Sequence, residues 1–208
     1  MKSKVLKIII ILLLVLVILF VVNLVRNYII LSDITDYSLS LKDNVSNYYF
    51  KYDIKGSSDT EEAIEEYYYK DGIMLTKRTF SGEEIITWYN FNTNEYETIG
   101  NEELNTEVSN TEIYNEENIY ELALFSYNVS DVIFDYLFKP ITFTDNCYKI
   151  VVDDVEYYIN KDTKLIERKT SEEKELTETM KQENTEATYE LRIDCVTDED
   201  VERPTISE

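Results

Sequence analysis

The chain has 208 residues with 42 acidic against 20 basic side chains, a net charge of −22 and no histidine. A field of that sign repels nucleic acid and anionic surfaces, so neither is an expected partner. Without imidazole, histidine-based zinc sites and serine or cysteine triads are excluded as well.

The first element decides where the rest of the chain lives. Fifteen apolar residues run from Ile8 to Val22, and Leu24 and Val25 extend them past Asn23. At about 1.5 Å per residue, roughly 18 helical residues match the hydrocarbon thickness of a bilayer. Only a helix satisfies its own backbone there, so the Ile and Val residues predict a transmembrane helix and not a strand. Lys2, Lys4 and Lys7 precede the span and only Arg26 follows it closely, which places the N-terminus in the cytoplasm and the remainder outside. No small-residue cleavage site precedes Ser32, so the segment reads as an uncleaved signal anchor in a single-pass cell-membrane protein. All acidic residues follow residue 31, together with 16 of the basic ones, so the outer part carries 16 minus 42, or −26. Frequent Ile, Asn, Lys, Glu and Tyr with scarce Pro and Gly resemble a bacterial chain from an AT-rich genome.

Residues 1–7 then form a short tail, 8–25 the span, 26–46 a juxtamembrane segment that continues helically and loosens, 47–196 the extracytoplasmic domain and 197–208 an acidic C-terminal tail. From Asn47 the apolar period changes to two: Tyr48, Phe50, Tyr52 and Ile54 alternate with Tyr49, Lys51, Asp53 and Lys55. GSSDT (56–60) reads as a turn. Asp71-Gly72, Ser81-Gly82 and Asn92-Thr93-Asn94 separate strands near 63–69, 73–80, 84–91 and 95–99. Short strands in sequence with tight turns predict an antiparallel meander. Residues 101–118 read as a loop ending on an Asn115 N-cap. Two helical segments follow, the first with Ile119, Leu122, Ala123 and Phe125 on one face. The second opens at Ser130-Asp131, with Val132, Ile133, Tyr136 and Leu137 apolar, and stops before Pro140. Strands return at about 147–152, 155–160 and 163–169. Residues 170–187 read either as a surface helix capped by Thr170 and Glu173 or as a long hairpin, before a last strand at 188–195. The expected fold is α+β: a transmembrane helix, then a curved antiparallel sheet (a half-barrel of about nine strands) with helices inserted between two strand groups and covering one face.

Within that pattern, EYYINKDTKLIERK resembles the strand–turn–strand of lipoprotein-carrier (LolA-like) domains. The matching positions are Tyr157, Tyr158 and Ile159, then Asp162-Thr163, then Arg168. The NYYFKYDI strand, the Asp-Gly hairpin and the mid-chain helices also follow that family's order, over about residues 45–195. Lys164-Leu165 stands where the family commonly has Gly-Leu. The resemblance implies a curved sheet around an apolar concavity lidded by the helices.

Eighteen Tyr, eight Phe and the single Trp are dense in the strands. Aromatic rings suit strands and cores. They also suit a hydrophobic ligand site, for which Tyr48, Phe50, Tyr52, Tyr67, Tyr69, Trp88 and Phe91 are the candidates. The triplet Tyr67-Tyr68-Tyr69 cannot place all its rings on one face. The two cysteines raise a possible Cys147–Cys195 disulfide. Alternation sends Cys147 outward and Cys195 inward, and a meander sets them about three strand spacings, roughly 14 Å, apart. A bridge needs Cα atoms within about 7 Å, so free thiols are expected.

No GxSxG, P-loop or GxGxxG occurs, no catalytic residue stands out, and neither a cofactor nor a metal is expected. Asn90-x-Asn92-x-Asn94 is a poor calcium loop, lacking the glycine and the bidentate Glu, and reads as a turn. The expected role is binding rather than catalysis. The integral membrane anchor holds a domain that either captures a lipid or other amphiphile or docks an envelope protein.

Overall fold

In the computed structural model, the helix that begins in the apolar span does not end with it. Residues 2–42, 44–55, 62–80, 82–100, 103–105, 116–171, 174–177, 180–182 and 185–204 are described. Helix α1 runs unbroken over Lys2–Leu41. Its N-terminal part is exposed all round and is long and apolar enough to cross a membrane. Its C-terminal part buries one stripe: Asn27, Leu31, Ile34, Thr35 and Ser38. Those positions recur every three or four residues, the spacing of one helix face. The juxtamembrane segment is helical to Leu41 and packs into the domain, so its boundary with residue 47 is not a break in packing.

Among the described residues, eleven strands form one open antiparallel sheet. In chain order they are β1 (Asn47–Lys55), β2 (Glu62–Lys70), β3 (Ile73–Phe80), β4 (Glu83–Asn90), β5 (Glu95–Gly100), β6 (Glu103–Asn105), β7 (Thr142–Thr144), β8 (Cys147–Val152), β9 (Val155–Asn160), β10 (Ile166–Ser171) and, after a separate ribbon, β13 (Thr185–Ile193). The ribbon pairs β11 (Lys174–Thr177) with β12 (Met180–Gln182). The spatial order is β6-β5-β4-β3-β2-β1-β13-β10-β9-β8-β7. The first meander therefore joins the second through the pairing of β1 with β13, which sets Phe50 opposite Leu191 and Tyr52 opposite Tyr189.

The α+β reading holds, with more strands than the nine expected. The additional ones are short or lie in the 170–187 stretch, which takes its hairpin alternative and not the helix. The expected turn at 56–60 and the Asn115 cap lie outside the described residues. Turns elsewhere follow the chemistry of their residues. Asp71 (φ 49°) and Gly72 (φ 81°) join β2 to β3, while Asp153 (φ 51°) and Asp154 (φ 65°) join β8 to β9. At Asn90-x-Asn92-x-Asn94 the Asn90 carboxamide accepts the amides of Asn92 (3.0 Å) and Thr93 (3.2 Å), closing the turn.

The mid-chain helices are shorter than expected. A 3-10 segment spans Glu116–Ala123, a one-turn helix α2 spans Val129–Val132, and a second 3-10 turn spans Ile133–Tyr136. Because 3-10 geometry repeats every three residues, Tyr120 and Ala123 share the buried face of the first with Leu122 exposed, and Leu124 and Phe125 just beyond it are buried too. These segments and the C-terminal part of α1 cover one face of the sheet. Two apolar clusters lie beneath them, one gathering Leu31, Ile34, Phe125, Tyr136, Ile150 and Ile159, the other Tyr48, Phe50, Tyr67, Met74, Tyr120 and Leu165. On the opposite face the segment after β13 packs back: Asn47 exchanges two hydrogen bonds with the Val196 backbone, both 2.9 Å, and Val201 is buried. The stretch from residue 197 is thus docked up to Arg203.

Candidate ligand-binding face

Strand alternation and register sort the seven candidate aromatics. Tyr48 pairs with Tyr69 and Phe50 with Tyr67, and Tyr69 pairs onward with Met74, so these rings share the covered face. Tyr48 stacks on Tyr69 at 5.1 Å and meets Tyr120 at 4.9 Å. Phe50 lies 6.0 Å from both Tyr52 and Tyr67 and 6.2 Å from Tyr189. Phe91, just beyond β4, stacks on Tyr89 and approaches Tyr69. Six of the seven candidates therefore form one continuous aromatic layer.

Trp88 does not join them. The register sets Leu75 opposite Trp88 and Trp88 opposite Glu97, on the opposite face, one residue out of phase with Tyr89. Its indole Nε1 donates to the Val201 carbonyl (3.0 Å), and the Arg203 guanidinium lies 5.3 Å from its ring. Arg203 also pairs with the Glu97 carboxylate, holding that carboxyl below its usual range. Tyr68 is the odd member of the tyrosine triplet, on this same face at 5.0 Å from Tyr49.

The layer is filled rather than hollow where the helical segments cover it. Tyr48 and Phe50 are fully buried and Tyr67 nearly so. A cavity of about 70 Å³ lies between α1 and residues 121–128, and a groove of about 470 Å³ lies between the apolar part of α1 and Leu137 and Phe138. None of the seven candidates lines either one.

At its far end the layer becomes polar. Tyr67 donates to the Glu65 carboxylate, and Arg78 lies 3.4 Å from Glu65 and 3.5 Å from the Tyr67 hydroxyl. Burial, with Glu65 adding to it, pushes the Tyr52 phenol up to about 12 and raises Tyr67 further, so both stay protonated. Across β1 and β13, the Lys169 amine sits 4.9 Å from the Tyr189 ring and 5.5 Å from Tyr157, and donates to the Leu122 carbonyl (3.1 Å). Desolvation lowers its pKa. Half-buried rings beside one cation and one ion pair suit the head of an amphiphile or a peptide side chain.

Both cysteines are free. Cys147 faces the opposite side of the sheet but is buried, its thiol donating to Glu167 (3.2 Å); burial first, then Glu167, raise it to about 11. Cys195 does not point inward. Asp194 turns left-handed (φ 56°) after Ile193, breaking the alternation, and leaves Cys195 exposed.

Sequence inspection passed over the polar residues of α1 that hold the covering layer in place. Asn23 and Asn27 donate to the Lys139 carbonyl at 3.3 and 2.9 Å, and Asn27 also bonds Tyr136 and Ile141. Further along, Thr35 donates to the Tyr127 carbonyl (3.3 Å) and Ser38 accepts the Phe125 amide (3.1 Å). Polar residues at 23, 27, 35 and 38 share one side of the helix, but Arg26, Ser32, Asp33, Asp36 and Ser40 on its other sides hide that stripe in the sequence.

No family model matches the chain, and no curated protein matches it. Among solved structures it is similar to a DUF1329 family protein from Desulfovibrio piger, at 11% identity over 86% of this chain and 97% of that one. The TM-score of that superposition is 0.28, an overlap that carries no argument about function.

Proposed function

We propose that this chain is a single-pass membrane protein, N-terminus in the cytoplasm, whose extracytoplasmic domain binds an envelope protein and performs no catalysis. The observation that carries this reading is the filled aromatic layer. Tyr48, Phe50, Tyr67 and Tyr120 occupy the space that a hydrophobic ligand would need, beneath a cover pinned by α1. What is left for recognition is the outside of the sheet. At one end β7 is a short, wholly exposed edge strand, and such an edge accepts an added strand from a partner. The anchor confines the search for that partner to two dimensions. The buried, protonated Cys147 thiol is a poor nucleophile, and no histidine is present to activate it or the exposed Cys195.

Photo-crosslinking in intact membranes tests this, with a photoreactive side chain at Thr144 of the full-length chain. A discrete protein adduct, lost when Thr142→Pro blocks the edge, is the expected result. Absence of an adduct at Thr144 would remove the edge from consideration.

A second reading keeps the LolA-like half-barrel as a lipid carrier. It is favoured by the end of the layer where the half-buried Tyr52 and Tyr189 lie near Lys169, Arg78 and Glu65. A photoactivatable fatty acyl lipid that labels Tyr52 or Tyr189 in the same membranes would establish it over protein docking.

A further inference from the structure

The mid-chain connection that α1 grips carries a second apolar surface, separate from the aromatic layer. Phe134 and Phe138 are 71% and 88% exposed, the two most exposed aromatic rings in the described part of the outer domain. A soluble surface has no use for two such rings four residues apart. Their position explains them. The Phe138 ring lies 5.3 Å from that of Phe20, inside the apolar span, and Leu137 and Phe138 form one wall of the 470 Å³ groove whose other wall is Leu16, Val17 and Phe20.

From these placements we infer that the loop 134–138 is inserted into the outer leaflet of the bilayer, with a lipid acyl chain occupying the groove between Phe138 and α1. Three observations lead to that occupant. The groove is continuous with the span, so whatever solvates Leu16, Val17 and Phe20 also solvates Phe138. Depth is consistent too: Arg26 is the first cation after the span, and Phe20 lies six residues, or about 9 Å, deeper along the helix. Interfacial elements bury their apolar face about 5–10 Å below the headgroups.

Charge points the same way. In a strongly acidic domain, Arg26, Lys139 and Lys161 gather around this loop. Arg26 stacks over Phe143 (4.7 Å) and donates to the Ile141 carbonyl (2.9 Å). Lys139 lies over Tyr136 (4.8 Å), and Lys161 over Phe143 (4.9 Å). Rings topped by cations at headgroup height are the usual form of an interfacial anchor. Asp135 within the loop and Asp145 beyond it are exposed as well. The hydrogen bonds from Asn23 and Asn27 to Lys139 then lock domain orientation to the helix, so the domain lies against the membrane in one pose.

Fluorescence quenching by lipids brominated in their acyl chains tests this on the full chain in phosphatidylcholine vesicles. The native Trp88 is the baseline, Phe20→Trp marks the hydrocarbon, and Phe138→Trp reads the loop, with Phe134→Trp as the companion should Phe138→Trp fail to fold. The expected result is quenching of Phe138→Trp or Phe134→Trp at least half as strong as that of Phe20→Trp, with Trp88 unquenched. Loop variants quenched no more than Trp88 would overturn the inference, whether or not Phe20→Trp is quenched. Protein docking at β7 is read by crosslinking and stands or falls separately.

Discussion

Asn27 holds Ile141 by accepting its backbone amide at 3.1 Å, across 114 residues of sequence, in a site fully closed to solvent. The same carboxamide donates to the Tyr136 and Lys139 carbonyls, so one side chain satisfies three backbone groups of a connection with no regular ladder of its own. Replacing it with Leu leaves the Tyr136 carbonyl and the Ile141 amide without partners, while Asn23 still reaches the Lys139 carbonyl. At about 1–3 kcal/mol for each of these two buried groups, Asn27→Leu is expected to cost roughly 2–6 kcal/mol, read by urea unfolding in mild detergent. A loss under about 1 kcal/mol would show that water replaces the carboxamide.

The buried stripe of α1 also sets where the folded unit begins. A fragment starting at residue 32 discards Asn27 and Leu31, both fully buried. Losing a buried Leu alone costs about 2–5 kcal/mol. The fragment 23–208 is therefore expected to unfold at clearly higher urea than 32–208. Equal midpoints would mean that α1 contributes to the domain only from Ile34 onward.

Glu97 and Arg203 make docking of the C-terminal segment depend on pH. The Arg203 guanidinium lowers the Glu97 carboxyl below its value in the unfolded chain, about 4.3. The contribution is therefore complete above that value and is lost as pH falls through the lowered folded one. Trp88 lies between them and Val201, and it is the single tryptophan, so its emission reports the event. A red shift is expected on acidification below about pH 4, and Glu97→Gln is expected to abolish that step. An unchanged acid transition in Glu97→Gln would assign it to other carboxylates.

The two thiols differ in exposure and should differ in rate. Cys195 is open to solvent, whereas Cys147 is buried, bonded to Glu167 and raised to about 11. One equivalent of maleimide at pH 7.5 is expected to label Cys195 within minutes and leave Cys147 intact until urea is added. Rapid double labelling of the native protein would contradict the buried placement.

Lys164 occupies a left-handed position (φ 58°) in the turn between β9 and β10, the place where LolA-like sequences commonly carry glycine. Its amine pairs with Asp33 of α1 at 2.6 Å. Non-glycine residues pay about 1–2 kcal/mol for that conformation, while an ion pair whose Asp33 side is open to solvent contributes about 1 kcal/mol. Lys164→Gly is therefore expected to match or exceed the native stability, and Lys164→Ala to fall below both. If Lys164→Gly is the less stable variant, the tie to Asp33 outweighs the backbone.

Much of the sheet could be read from alternation because its strands bury one face more than the other. The strands near 73–80, 147–152 and 155–160 coincide with β3, β8 and β9, and the Asp-Gly and Asp-Asp turns sit where their left-handed residues allow. Short edge strands such as β7 escaped notice because three exposed residues, Thr-Phe-Thr, carry no period. The candidate site was legible as an aromatic layer but not as a filled one. Trp88 faces away from the layer because strand side chains alternate, which sets it one residue out of phase with Tyr89.

The apolar span, the α+β class and the binary pattern of the sheet were determined by the sequence alone, since each follows from local hydrophobic period and turn chemistry. The tertiary structure decided what covers the sheet. Whether an aromatic face encloses a ligand or packs against its own chain depends on contacts between residues a hundred positions apart, such as Asn27 with Ile141 or Leu31 with the β8–β9 core. No local period encodes those contacts, because a helix stripe and a loop carbonyl recognise each other only after the chain has brought them together.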